Sequence, residues 1–359
     1  MKKLWNKLLI FVGKKILSGI ASSSIFSPEI HEFSDDVAAI YMDNKWGYID
    51  QSGNVIIEPQ FNKVEKFFDG LALVQLENET FFINKNGEKA FEQEFLLEHN
   101  FSEGLTTYIN KINNDDIDLY KYGYINTDGN VVIEASYDYA RPFSEGLAAV
   151  EVDNKWGFVN KEGKFVIEPQ YQDVGDFKDN RALIMLDDCG YIDKTGQMVI
   201  ETRYINALPF SESVAAVRLN EKDNWVFIDL DGKIIIESQY EDCFEGFSEG
   251  YAIVIIDNSY IFIDRNGKIL SKNKFDYAGS FKDSLAPVSI NKLFGYIDYS
   301  GEFAVKPIFD NAGKFSCGLA PVINHNKLGY IDKTGSIVIK TKFDYYNPMN
   351  DIIVALNNK

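Results

Sequence analysis

A block of about 34 residues recurs nine times along the chain, and that recurrence limits the fold more than any other feature. Units open at Phe33, Phe67, Phe101, Phe143, Phe177, Phe210, Phe247, Phe281 and Phe315, at spacings of 34, 34, 42, 34, 33, 37, 34 and 34 residues. A partial tenth opens at Met349. A period of this length marks a solenoid, a propeller or another repeat array. One such unit is too small to bury its own apolar face, so neighbours must supply the cover and the array folds as one body.

Unit four shows the internal pattern. Residues 147–152, 155–159 and 165–168 are short runs of β-branched, aromatic and small residues between turn signals, which predicts three strands. The second and third are joined by Asn/Asp-x-x-Gly in every unit: Asp50 to Gly53, Asn84 to Gly87, Asn126 to Gly129, Asn160 to Gly163, Asp193 to Gly196, Asp229 to Gly232, Asp264 to Gly267, Asp298 to Gly301 and Asp332 to Gly335. The Asp or Asn side chain bonds the turn backbone, and glycine takes the left-handed position that closes the hairpin with a bulge.

The second strand often carries aromatic-Gly: Trp46-Gly47, Tyr122-Gly123, Trp156-Gly157 and Phe294-Gly295, with Cys189-Gly190 and Leu328-Gly329 as degenerate forms. Phe81-Phe82, Trp225-Val226 and Tyr260-Ile261 lack the glycine. A strand glycine permits close approach of a neighbouring backbone or ring, and packing between repeats explains it more simply than ligand stacking. The run Lys45-Trp-Gly-Tyr-Ile-Asp50, then Gly53-Asn-Val-Ile-Ile-Glu-Pro-Gln-Phe61, repeated at residues 155–171, resembles the WG-repeat family of bacterial proteins. The resemblance covers residues 33–359, with units two, six and seven departing furthest. It implies a noncatalytic binding or interaction scaffold and transfers no catalytic residue.

The expected fold is all-β: tandem three-stranded antiparallel repeats, arranged as an open, curved β-solenoid in preference to a closed ring or propeller. Nine units exceed the usual range of propeller blades, and Met349–Leu356 supplies only one strand, read as a cap over unit nine.

The position ending the third strand is acidic in six units (Glu58, Glu92, Glu134, Glu168, Glu201 and Glu237) and basic in three (Lys272, Lys306 and Lys340). Stacked units would turn these into a stripe that changes sign, a candidate partner-binding face. Ordinary solvated charge is the simpler reading. A second acidic series, Glu103, Glu145, Asp179, Glu212, Glu249 and Asp283, with Cys317 in its place in unit nine, reads as turn formation. The longer third unit carries an insertion, Lys111–Asp118, read as a solvated loop without the Gly turn and distal Glu of a calcium site.

Residues 1–27 differ. Lys2, Lys3, Lys7, Lys14 and Lys15 stand there with no acid before Glu29, in a chain of net charge -18. Leu4, Trp5, Leu8, Leu9, Phe11, Val12, Ile16 and Ile20 share one helical face, an imperfect basic amphipathic helix followed by a linker from Ser22 to Pro28. Three readings stand open: a helix on an anionic membrane surface, a cover over the array's first edge, and a signal peptide whose apolar core is cut by Gly13-Lys14-Lys15.

Composition narrows function by exclusion. Three cysteines and three histidines give no disulfide scaffold and argue against a multi-ligand zinc site. No cofactor or metal is expected. Net acidity argues against nucleic acid. His31, His99 and His325 sit at different points of the repeat, and no Gly-x-Ser-x-Gly, His-Glu-x-x-His or phosphate loop occurs. Cys189, Cys243 and Cys317 read as small core residues in a reducing compartment. The expected protein is a cytoplasmic, noncatalytic scaffold for a protein or peptide. The alternatives are a carbohydrate- or cell-wall-binding module, a membrane-peripheral structural protein tethered by residues 1–20, and an exported protein.

Overall fold

The computed structural model describes residues 31–346 apart from 115–116, 221–223 and 244. The expected N-terminal helix and the capping strand at Met349–Leu356 lie outside the described residues. Those described are all-β, with eight antiparallel sheets carrying the nine units.

Unit four again sets the pattern: Ala148–Val152, Lys155–Val159 and Phe165–Tyr171 pair in order. Asp153 and Asn154, both at positive φ, make the two-residue turn between the first pair, the mirror-image turn that suits strand twist. Asn160 Oδ1 then accepts the Glu162 and Lys164 amides, as the Asn-x-x-Gly signal requires. A fourth, two-residue strand, Tyr139–Ala140, precedes the unit and pairs with its first strand, Tyr139 opposite Glu151 and Ala140 opposite Val150.

Glycine in the second strand answers to the unit's own third strand. The register jumps from Trp156↔Tyr171 to Phe158↔Ile167, leaving residues of the third strand bulged. A Cβ on Gly157 would stand 2.5 Å from the bulged Ile167 carbonyl oxygen. In unit two the register puts Thr80 at the aromatic position and Phe81 at the glycine position. Units two and seven, with Phe81 and Ile261 there, hold only isolated bridges in place of a third strand. Unit six keeps its third strand, Ile234–Tyr240, opposite Val226.

The core is distributed over the junctions. Nine apolar clusters are described, each shared by two adjacent units. At every junction the second-strand aromatic packs on the opening Phe of the next unit: Tyr48 on Phe67 at 4.9 Å, Phe158 on Phe177 at 4.8 Å, Tyr191 on Phe210 at 4.8 Å. Each unit thus provides cover that its neighbour lacks.

The open solenoid is replaced by a closed ring. Unit nine meets unit one by the contacts that join every other pair: Tyr330 packs on Phe33 at 5.0 Å, and one cluster unites Phe33, Ile40 and Ile49 with Leu319, Tyr330 and Ile339. Val37–Met42 pairs with the end of Ile337–Asp344, Tyr41 opposite Asp344. Gly53 of unit one lies against Ile339 of unit nine, as Gly87 lies against Ile57. Among the described residues no sheet curls into a barrel; closure is between units. The ring is completed by residues 343–346, ahead of the segment expected to cap it.

The insertion in unit three is not a loop. It lengthens the first hairpin into Leu105–Asn114 and Ile117–Asn126, paired as far as Asn114↔Ile117. Asp115 and Asp116 lie outside the described residues.

Candidate functional site

Each unit opens with a tight corner just after its Phe, spelled Phe-Ser-Glu-Gly in units three, four and seven and varied elsewhere. Ser102 and Leu105 exchange backbone hydrogen bonds around Glu103 and Gly104, both at positive φ, a tight mirror-image turn. The serine hydroxyl reaches the next unit: Ser34 donates to the Phe67 carbonyl, Ser102 to Phe143, Ser144 to Phe177, Ser211 to Phe247 and Ser248 to Phe281, at 2.6–2.8 Å. The second acidic series is a clasp between units. Asp69 accepts the Gly104 amide, Glu103 the Gly146 amide, Glu145 the Asn180 amide and Asp283 the Gly318 amide. Exposed cations add to it, with Lys161 at 3.2 Å from Glu103 and Arg265 at 2.8 Å from Glu212. Sequence reasoning found the series and its turn but missed the clasp, because its partner lies one unit on.

These corners surround one cavity of about 590 Å³. Seven of the nine units line it through repeat-equivalent positions flanking the opening Phe, so it lies on the ring axis. Lys66, Lys178, Lys282 and Lys314 face it, with Glu32 and Glu245. Lys66 pairs with Glu32 at 3.0 Å, and Lys314 approaches Glu245 at 3.5 Å.

A second cavity of about 460 Å³ opens beside unit two, lined by Thr80, Phe95, Leu96, Ile109 and Tyr120 among others. It stands where the third strand of that unit is missing. In unit seven, whose third strand is also reduced, the Tyr260 amide still donates to the Phe275 carbonyl at 3.0 Å, and the Phe275 amide donates back at 3.1 Å. The equivalent residues of unit two are Thr80 and Phe95, and among the described residues no bridge joins them. Phe95 turns instead onto Tyr108, ring centroids 5.1 Å apart. The outer backbone edge at Thr80 is therefore open, next to Leu96 and Tyr120, which are 55% and 43% exposed.

The candidate stripe occupies repeat-equivalent, solvent-exposed positions. Glu58, Glu134, Glu168, Glu201, Glu237, Lys306 and Lys340 stand on third strands, while Glu92 and Lys272 lie in the two units that lack one. Trp46, Trp156 and Trp225 are buried. His31 is wholly buried at the ring seam, its Nδ1 at 2.8 Å from the Ala39 carbonyl and its ring stacked on Trp46. Cys189 and Cys243 are buried as expected; Cys317 is exposed, a correction that follows from its place in the second position of a corner turn. Among the described residues no three His, Cys, Asp or Glu side chains gather as a metal site.

No curated protein matches the chain. Among solved structures it resembles a eukaryotic initiation factor, at 11% identity over 88% of this chain and 97% of that one, with a TM-score of 0.58. Apo AztD from Citrobacter koseri (12% identity, 86% and 95% covered, TM-score 0.41) and Hsv2p of Kluyveromyces lactis (8%, 74% and 91%, 0.37) are weaker likenesses. The structural neighbours are β-propeller-like, a statement about fold alone. The sequence model described as WG containing repeat matches residues 46–79, 122–156, 156–188, 190–222, 225–260, 262–294, 294–327 and 329–358. Its gap, 80–121, holds the missing third strand of unit two and the start of the lengthened hairpin of unit three. With most of its length so matched, the chain belongs to the WG-repeat family.

Proposed function

We propose that the protein is a noncatalytic scaffold that takes an extended peptide segment of a partner protein into the groove of unit two. The observation that carries this reading is the open edge at Thr80 beside exposed Leu96 and Tyr120. A strand added there would use the free backbone groups for affinity and the apolar groove for its alternate side chains. Elsewhere the third strands carry bulges, and those of units one, four and eight carry Pro59, Pro169 and Pro307, devices that discourage edge pairing. Unit two is thus the place where a guard is absent. The net charge of -18 favours a neutral or basic segment. The carbohydrate alternative loses its motive, since the recurrent tryptophans are buried.

Peptide-display selection against the purified chain tests the reading. Enriched peptides should bind the native protein, lose affinity on Leu96→Asp with Tyr120→Asp, and protect the Thr80 amide from hydrogen exchange. Failure to enrich any peptide, or binding indifferent to those substitutions, contradicts it.

A further inference from the structure

Six units place serine directly after the opening Phe, and five of these hydroxyls donate to the next unit's Phe carbonyl. Three units depart: Phe68, Lys178 and Lys282, in units two, five and eight. Every third unit therefore lacks the serine that makes the inter-unit bond and sends a larger side chain to the axis. All three departures line the axial cavity. Neither Lys178 nor Lys282 has a carboxylate partner among the described residues, although the chain carries 54 acidic residues against 36 basic ones. Unpaired lysines inside a shared concavity, gained at the expense of a structural bond, break the local rule where a site would break it.

We infer that the axial cavity is a binding site for a small, multiply charged anion, of phosphate or carboxylate type, held by Lys178 and Lys282. The concavity has the size of small-ligand sites, which run from about 300 to 1,000 Å³, and it brings lysines from different units to one anion. Lysine suits such a ligand as a mobile point charge with three donors. Lys66 and Lys314 neutralise the Glu32 and Glu245 carboxylates, so the positive excess of the wall is that of Lys178 and Lys282. Ser316, whose hydroxyl reaches no carbonyl among the described residues, adds a neutral donor in the same layer.

The double substitution Lys178→Ser, Lys282→Ser tests this, because serine is the prevailing residue at the position and restores the bond to the following Phe carbonyl. Its thermal midpoint should equal or exceed that of the native protein, which separates loss of binding from loss of fold. Calorimetric titration at low salt uses pyrophosphate in one arm and citrate in the other. The native chain should bind at least one of them, with affinity falling as salt rises, and the double variant should bind it roughly tenfold more weakly or worse. Whichever arm responds names the charged group. Absence of binding in both arms, or equal affinity in the variant, overturns the site.

Discussion

The Tyr330 hydroxyl donates to the His31 carbonyl at 2.8 Å across 299 positions of sequence. Tyr48, Tyr124, Tyr191 and Tyr296 make the same bond to the carbonyl 17 positions on, at Glu65, Arg141, Leu208 and Gly313. Unit one is therefore to unit nine what unit two is to unit one. Removing the hydroxyl leaves a buried carbonyl without its donor, a loss of about 1–2 kcal/mol. Tyr330→Phe and Tyr191→Phe should lower unfolding free energy by similar amounts in urea titrations. An innocuous Tyr330→Phe beside a costly Tyr191→Phe would mean the seam is not a true junction.

The seam nevertheless lacks two standard fastenings. Ser316 makes no bond to the Phe33 carbonyl, and Cys317 stands where other units carry the clasping acid, in a left-handed conformation at φ 53°. Asparagine tolerates that conformation and brings an acceptor for the turn amide of unit one. Cys317→Asn should stabilise the ring by about 0.5–1 kcal/mol, seen as a higher thermal midpoint.

The bulge requirement predicts a sharp contrast between glycines. Gly157→Ala forces a Cβ onto the Ile167 carbonyl and should cost about 2 kcal/mol or more. Gly104 has nothing within 4 Å of its would-be Cβ, only a positive φ of 83°. Gly104→Asn should cost less than about 1 kcal/mol. Equal costs would show that the bulge does not dictate the residue.

Much of this was legible because it is local. The Asn160-to-Gly163 turn and the strands of unit four need only near neighbours, and the sequence marks them plainly. The short strand Tyr139–Ala140 was not legible: two residues carry no alternation, and its partner belongs to what reads as the next unit. Closure is not written in the repeat, because a 34-residue period is common to open and closed arrays and only the rotation between units decides whether Tyr330 reaches Phe33. The recurrent motif in the second strand is Trp46-Gly47, yet the ring that joins the units is Tyr48, two positions on from Trp46. The groove at Thr80 is visible in sequence only as a lost motif, since an absent pairing leaves no positive signal.

Acid sensitivity follows from His31. Its complete burial outweighs the hydrogen bond that its Nδ1 donates to the Ala39 carbonyl, and nearby Lys66 adds to the lowering, so the imidazole is pushed down from 6.5 to about 4. The folded state holds it neutral while the unfolded chain protonates it. Stability is therefore complete above pH 6.5 and declines as pH falls toward 4, by roughly 3 kcal/mol in total. Asp50, held below its ordinary value first by the Asn54 side chain, responds only at lower pH. The His31→Gln variant should lose most of the decline between pH 6.5 and 4, the remainder belonging to His99, which burial also holds below its ordinary value; an unchanged slope in denaturant titrations would assign the decline elsewhere.

Ring closure is the claim on which the axial cavity and the seam depend, and a distance between spin labels tests it. Asp43 and His325 occupy equivalent exposed turns of units one and nine; Asp43 and Glu77 occupy those of units one and two. With Cys317 replaced by serine, electron double resonance on the Asp43→Cys, His325→Cys pair should give the same short, narrow distance distribution as the Asp43→Cys, Glu77→Cys pair. A longer separation, growing as an open stack of nine units requires, would contradict the ring.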